Sequence, residues 1–199
     1  MSKEFLTKEF LIKVTKSVES APYTPFMILR PDLTVAAIVE RDGQFLLVEE
    51  RVANRLVFNQ PAGHVEKGEQ FVQAAVRETL EETAWTFHPE ALVGIYFWEQ
   101  PDQPRSFLRA AFCGRVSGHD PARRLDRGIE RAVWMTREQI VARSARLRSP
   151  MVLGCIDDYL DGHRYPLDVI KHVLKDATKL STADVRSRSF DHPALNRVI

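Results

Sequence analysis

Two nearly unbroken apolar runs, in "LTVAAIVERDGQFLLVEE" (Leu33 to Glu50), meet at Asp42-Gly43 and predict a β-hairpin. Both runs are rich enough in β-formers to be central strands. After them, "RLVFNQPAGHVEKGEQ" is punctuated by Pro61, Gly63 and Gly68 and predicts an irregular loop. The loop feeds "FVQAAVRETLEET", where Phe71, Ala74, Ala75 and Val76 mark the buried side of a helix. "ALVGIYFWEQ" and "RSFLRAAFCGRV" predict a second antiparallel pair, and "GIERAVWM" a further short strand. Thr136 is placed to cap a helix beginning "REQIVAR". The last helix is expected from Ser149 as N-cap and Pro150 at its first position, stopping at Gly162. Strands with interspersed helices and hairpin connections imply an α/β fold with a mixed sheet covered by helices.

The ends read differently. Leu6, Phe10, Val14 and Val18 at helical spacing predict a short amphipathic helix, followed by Pro22, Pro25 and Pro31. From about Asp176 the chain is polar and aperiodic. The expected organisation is an extension over 1–31, one domain over 32–172 and a tail over 173–199.

Charge changes this picture little. With 28 basic and 27 acidic residues in a chain of 199, no global field favours a nucleic acid polymer or an anionic membrane, so any phosphate must be handled locally. Cys113 and Cys155 lack metal-ligand spacing and are expected as buried thiols in a reducing compartment. No apolar stretch resembles a signal peptide or reaches membrane-spanning length, so a cytoplasmic protein, monomer or homodimer, is expected.

The chemistry is concentrated in "AVRETLEETAW". On a helix, Glu82 lies about 40° to one side of Glu78 and Glu81 about 60° to the other, so the three carboxylates face one way. Carboxylates at that spacing repel, and at a helix C-terminus they also oppose the macrodipole. A divalent cation offsets both penalties. Oxygen ligands suit Mg²⁺, with Mn²⁺ as a substitute, and Mg²⁺ is usually held by a few carboxylates together with water and substrate phosphates.

Gly63, five residues, Glu69, seven residues, then Arg77-Glu78-Thr79-Leu80-Glu81-Glu82 resembles the signature box of the Nudix hydrolase family. Ala84 stands where the family pattern has glycine, and Thr79 where it has an aliphatic residue. The resemblance implies an α/β/α sandwich around a mixed sheet and metal-dependent hydrolysis of a diphosphate linked to another group. It further implies that Glu78, Glu81 and Glu82 hold Mg²⁺, that the Ala62 carbonyl adds a ligand, and that Glu69 pairs with Arg77. Which glutamate acts as base stays open, and Asp126 or Glu130 is a candidate for a late ligand or base.

"NQPAGHVE", "SFLRAAF", "LRSPMV" and "RYPLDVI" are similar to a branch of that family that removes terminal phosphates. That branch acts on nucleoside di- and triphosphates and a hydroxymethylpyrimidine pyrophosphate. Release of pyrophosphate, hydrolysis of nucleotide sugars, and ligand sensing without turnover are the alternatives. For a small phosphorylated substrate, Arg51, Arg55 and Arg109 are candidate phosphate ligands and Trp98 a candidate stacking surface. Phe97 and Phe107 are expected in the core. Helix capping explains Ser149 and Pro150 in Arg148-Ser149-Pro150, and for this triplet and Arg164-Tyr165-Pro166 the resemblance implies, as the alternative, a part in shaping the pocket or an oligomer contact.

Overall fold

The computed structural model describes residues 29–101 and 103–173; the expected N-terminal helix and the polar tail from Asp176 lie outside them. The strands are β1 (Asp32–Arg41), β2 (Gln44–Val52), β3 (Arg55–Asn59), β4 (Ala62–His64), β5 (Thr86–Glu99), β6 (Ser106–Ser117) and β7 (Ile129–Thr136). Among the described residues three α-helices accompany them: α1 (Phe71–Thr83), α2 (Arg137–Val141) and α3 (Met151–Leu160). Asp42 and Gly43 both have positive φ (52° and 75°), the backbone of a two-residue hairpin turn matched to strand twist.

The sheet runs β3-β2-β1-β6-β5, with β7 added on β2 and β4 on β1. β1 and β6 are parallel and the other pairs antiparallel, so the sheet is mixed. β1 meets β2 only at Glu40–Phe45 and Arg41–Gln44; upstream, the same edge is taken by β4. That fork opens the sheet where the box begins.

Alternating residues of β1 serve two cores. Val35, Ala37 and Val39 pack with Ala74 and Ala75 of α1, while Ala36 and Ile38 pack with Ile140 of α2 and Val152, Cys155 and Ile156 of α3. A strand covered on both faces must be apolar at every position, which accounts for the unbroken run. The result is an α/β/α sandwich. Both cysteines are buried and unpaired.

Three expectations need correction. The stretch read as an irregular loop contains β3 and β4, because Leu56 to Phe58 pair with Glu49 to Arg51, and Ala62 to His64 with Thr34 to Ala36. β5 begins at Thr86, ahead of Ala91, and reaches β6 through two register shifts. Ser149 is no side-chain cap: Pro150 is the N-cap, and the Ser149 hydroxyl bonds to nothing. Only its carbonyl helps, accepting from the Val152 N–H at 3.2 Å. Arg164-Tyr165-Pro166 ties the chain beyond α3 back to β5 through mutual backbone bonds between Tyr165 and Leu92. Among the described residues no helix is long and apolar enough to cross a membrane.

Candidate active site

The fork between β2 and β4 admits a cavity of about 350 Å³, with α1 along one wall and the start of α3 at another. From α1 come Glu78 and Glu82, both 9% exposed, and from β4 Ala62, Gly63 and His64. Gly63 is there because of Glu78. A Cβ built on Gly63 would sit 2.0 Å from the Glu78 Oε1, so any side chain would evict the carboxylate.

Arg77 organises the acids. It pairs with Glu69 through two parallel bonds of 2.9 Å, donates its Nη1 to Glu78 at 2.8 Å and Glu81 at 3.0 Å, and donates its Nη2 to the His64 carbonyl at 3.0 Å. The bidentate pair ties the loop to the helix. The bond from Arg77 holds the Glu69 carboxyl below its usual range. Glu81 turns toward Arg77 and does not line the cavity.

Glu82 is in the opposite position. Its Oε2 accepts from the Ala62 N–H at 2.9 Å, and burial, with the charges of Glu78, Glu50 and Asp126 nearby, pushes its carboxyl well above the ordinary value. Burial raises Glu78 too, with Arg77 opposing. Two buried carboxylates that resist ionisation together are groups a cation would relieve. The backbone of Ala62 is turned the same way. Its neighbours bond across to β1 through Ala37 N–H to Pro61 O and Val65 N–H to Leu33 O, so the intervening Ala62 N–H and carbonyl leave the strand on the α1 side. Among the described residues no group of three or more His, Cys, Asp or Glu is gathered closely enough to hold a metal ion.

The far side of the cavity is lined by Thr34, Glu50, Asn59, Arg109, Arg148 and Ser149, with Trp98 and Phe107 stacked at 5.5 Å. Arg109 is 5% exposed, and burial lowers the pKa of its guanidinium. Burial raises the Glu50 carboxyl, and Arg148 stands 3.6 Å from its Oε1.

A family model described as the NUDIX domain matches residues 30–153. The chain belongs to the Nudix family. Proteins named phosphatase NudJ, from Shigella boydii serotype 4 and Escherichia coli K12, are each 38% identical over 143 residues, spanning 72% of this chain and 92% of theirs. A NUDIX hydrolase structure from Nitrosomonas europaea superposes with a TM-score of 0.71 at 47% identity, over 72% of this chain and 98% of that one. A MutT NUDIX hydrolase from Burkholderia pseudomallei, at 18% identity and a TM-score of 0.53, shares the fold. This chain is thus a Nudix hydrolase acting on phosphoanhydrides.

Within the Nudix domain the sequence-predicted residues separate. Glu78, Glu82, Ala62, Trp98 and Arg109 meet at the cavity, and Glu69 and Arg77 buttress it. Arg51 and Arg55 do not reach it. Arg51 pairs with Glu130 at 2.8 Å on the surface, which also occupies Glu130, and Arg55 is exposed at the start of β3. Asp126 stays beside α1, its N–H bonded to the Glu81 carbonyl at 3.0 Å. Phe97, expected in the core, is 49% exposed because β5 alternates there.

Sequence reasoning missed Glu50, Asn59 and Thr34 as lining residues. A signal existed for the first. Glu49 and Glu50 close an apolar strand on successive positions, so they face opposite sides: Glu49 meets Arg131 and Arg146, and Glu50 the cavity.

Proposed function

We propose that the protein is a Mg²⁺-dependent phosphohydrolase that removes the terminal phosphate from nucleoside di- and triphosphates and from hydroxymethylpyrimidine pyrophosphate, with Mn²⁺ as a substitute. The observation that carries this reading is the buried pair Glu78 and Glu82, whose ionisation burial opposes and of which only Glu78 is bonded to a cation, Arg77, on the wall of a cavity large enough for such a substrate. The name phosphatase borne by relatives at 38% identity supports release of phosphate over pyrophosphate.

In this reading Glu78, Glu81 and Glu82, with the Ala62 carbonyl, would hold the metal. Mg²⁺ bound there would neutralise phosphate oxygens and lower the pKa of an attacking water. The chain's own share is positional and acid–base. The Gly63 backbone lets Glu78 approach, the Ala62 N–H fixes Glu82, and Arg77 holds the acids in register while Glu69 holds Arg77. One of these glutamates takes the proton of the water, and their mutual coupling makes the titration a property of the group. Trp98 and Arg109 contact the substrate from the opposite wall.

The test is phosphate release from purified protein over nucleotides, thiamin precursors, sugar nucleotides and dinucleotides, with Mg²⁺ and with chelator. Metal-dependent phosphate from the first two classes is expected. Release confined to sugar nucleotides or dinucleotides would overturn the substrate assignment.

A further inference from the structure

Among the described residues, four buried side-chain polar atoms have no hydrogen-bond partner: Thr34 Oγ1, Glu50 Oε1, Arg109 Nε and Ser149 Oγ. All four residues line the cavity that Glu78 and Glu82 line. Thr34, Arg109 and Ser149 are only 5%, 5% and 6% exposed. Native proteins pair nearly all such atoms, and a cluster of exceptions at one cavity marks groups kept for a ligand.

The four come from places far apart in the chain and are fixed there. Thr34 and Arg109 are register partners on the parallel strands β1 and β6. Ser149 is brought in because the chain before α3 lies along β3: Leu147 bridges Phe58, and the Arg148 N–H donates to the Phe58 carbonyl at 2.9 Å. Gln60 donates to the Val152 carbonyl at 2.7 Å, which leaves its oxygen, with that of Asn59, to face the Arg109 Nη1 at 3.4 Å. Arg109 therefore has its Nη1 turned to protein oxygens and its Nε free.

A phosphate here would gain Arg109 and Arg148 but would face the Glu50 carboxyl, 3.6 Å from Arg148, in a low-dielectric site. An uncharged group with a donor for Glu50 and an acceptor for Arg109 Nε meets no such opposition, and the two hydroxyls serve either role. The stacked rings of Trp98 and Phe107, inclined by 20°, offer a flat face beside it.

We infer that Arg109, Glu50, Thr34 and Ser149 form the specificity subsite that reads the donor and acceptor edge of the ring in the proposed substrates. The inference rests on the phosphohydrolase reading for its diphosphate. Arg109 is thereby assigned to the organic group, and Ser149 is placed for recognition where capping had been expected.

The test compares wild type with Ser149→Ala and Thr34→Val. The probes are the diphosphates of adenosine, guanosine, cytidine and uridine, and isopentenyl diphosphate, which has no ring. In each variant the preference for the ring-bearing over the ring-free diphosphate should fall about tenfold, mainly through KM, as expected for one lost hydrogen bond. The melting temperature of Ser149→Ala without ligand should stay level or rise, since the hydroxyl removed had no partner. Equal losses on all five compounds, no loss, or a destabilised Ser149→Ala protein would overturn the subsite. If the wild type hydrolyses none of them, the hydrolase reading fails separately. Calorimetric binding of the same diphosphates then decides the subsite: weaker binding of the ring-bearing compounds in the variants supports it, and unchanged binding refutes it.

Discussion

The two walls of the cavity are built on opposite principles. The α1 wall draws its glutamates from one helix and the loop ahead of it, carries like charges, and is held by a single arginine with four partners, Glu69, Glu78, Glu81 and the His64 carbonyl. The opposite wall draws from β1, β2, β6 and the approach to α3, mixes charges, and leaves four polar atoms without partners. A metal and a phosphate demand concentrated negative and positive charge at fixed spacing, whereas an uncharged organic group demands scattered donors and acceptors. One wall is suited to chemistry and the other to selection.

Substitutions should therefore act differently on the two. The largest effect is expected from Glu82→Gln. It should cut Mg²⁺-stimulated turnover by about 10²–10⁴-fold on every substrate. In chelator at neutral pH its melting temperature should hold or rise, since a buried carboxylate is replaced by a neutral isostere. Wild-type-like turnover in steady-state assays would sink the assignment. Next is Gly63→Ala, whose methyl must displace Glu78; a misplacement near 1 Å is expected to cost about 100-fold in kcat, uniformly across substrates. Substrate-selective loss there would blur the division between the walls.

The α1 wall should also reveal itself in stability. Glu82 titrates above the ordinary carboxylate value in the folded protein because it is buried. The folded state thus keeps a proton that the unfolded chain gives up. Its contribution is fully present below the unfolded pKa and is lost as pH rises through the folded one. Melting curves in chelator should show stability falling as pH rises above the ordinary carboxylate range, with Mg²⁺ restoring more at the upper end than the lower. A Mg²⁺ effect independent of pH would contradict this.

The smallest effect is expected at Ala84. It ends α1 with φ 60°, the left-handed conformation that the family pattern gives to glycine, and it is 2% exposed. Ala84→Gly relieves roughly 1 kcal/mol of backbone strain but loses a buried methyl worth about 0.8 kcal/mol. Chemical denaturation should find a net change under about 1 kcal/mol, and kinetics a change within about twofold.

The same contrast explains what could be read in advance. Glu69, Arg77, Glu78 and Glu82 were legible because their geometry is local: a helix repeat and a loop of fixed length set their directions. The central hairpin was legible through Asp42-Gly43 and its apolar runs. β3 and β4 were not, since Pro61 and Gly63 are loop-like by composition, while their strand character comes from pairing with β2 and β1. Arg51 and Arg55 were misplaced because strand-end arginines carry no mark of which edge they reach. Glu50, Thr34 and Ser149 become neighbours only once β1, β2 and the approach to α3 have come together, and no spacing along the chain encodes that.

The central claim, terminal cleavage by this Nudix enzyme, is tested most directly by phosphorus NMR of a nucleoside triphosphate incubated with the protein and Mg²⁺. The account predicts inorganic phosphate and nucleoside diphosphate in equal amounts as first products. Pyrophosphate and nucleoside monophosphate as first products would contradict it.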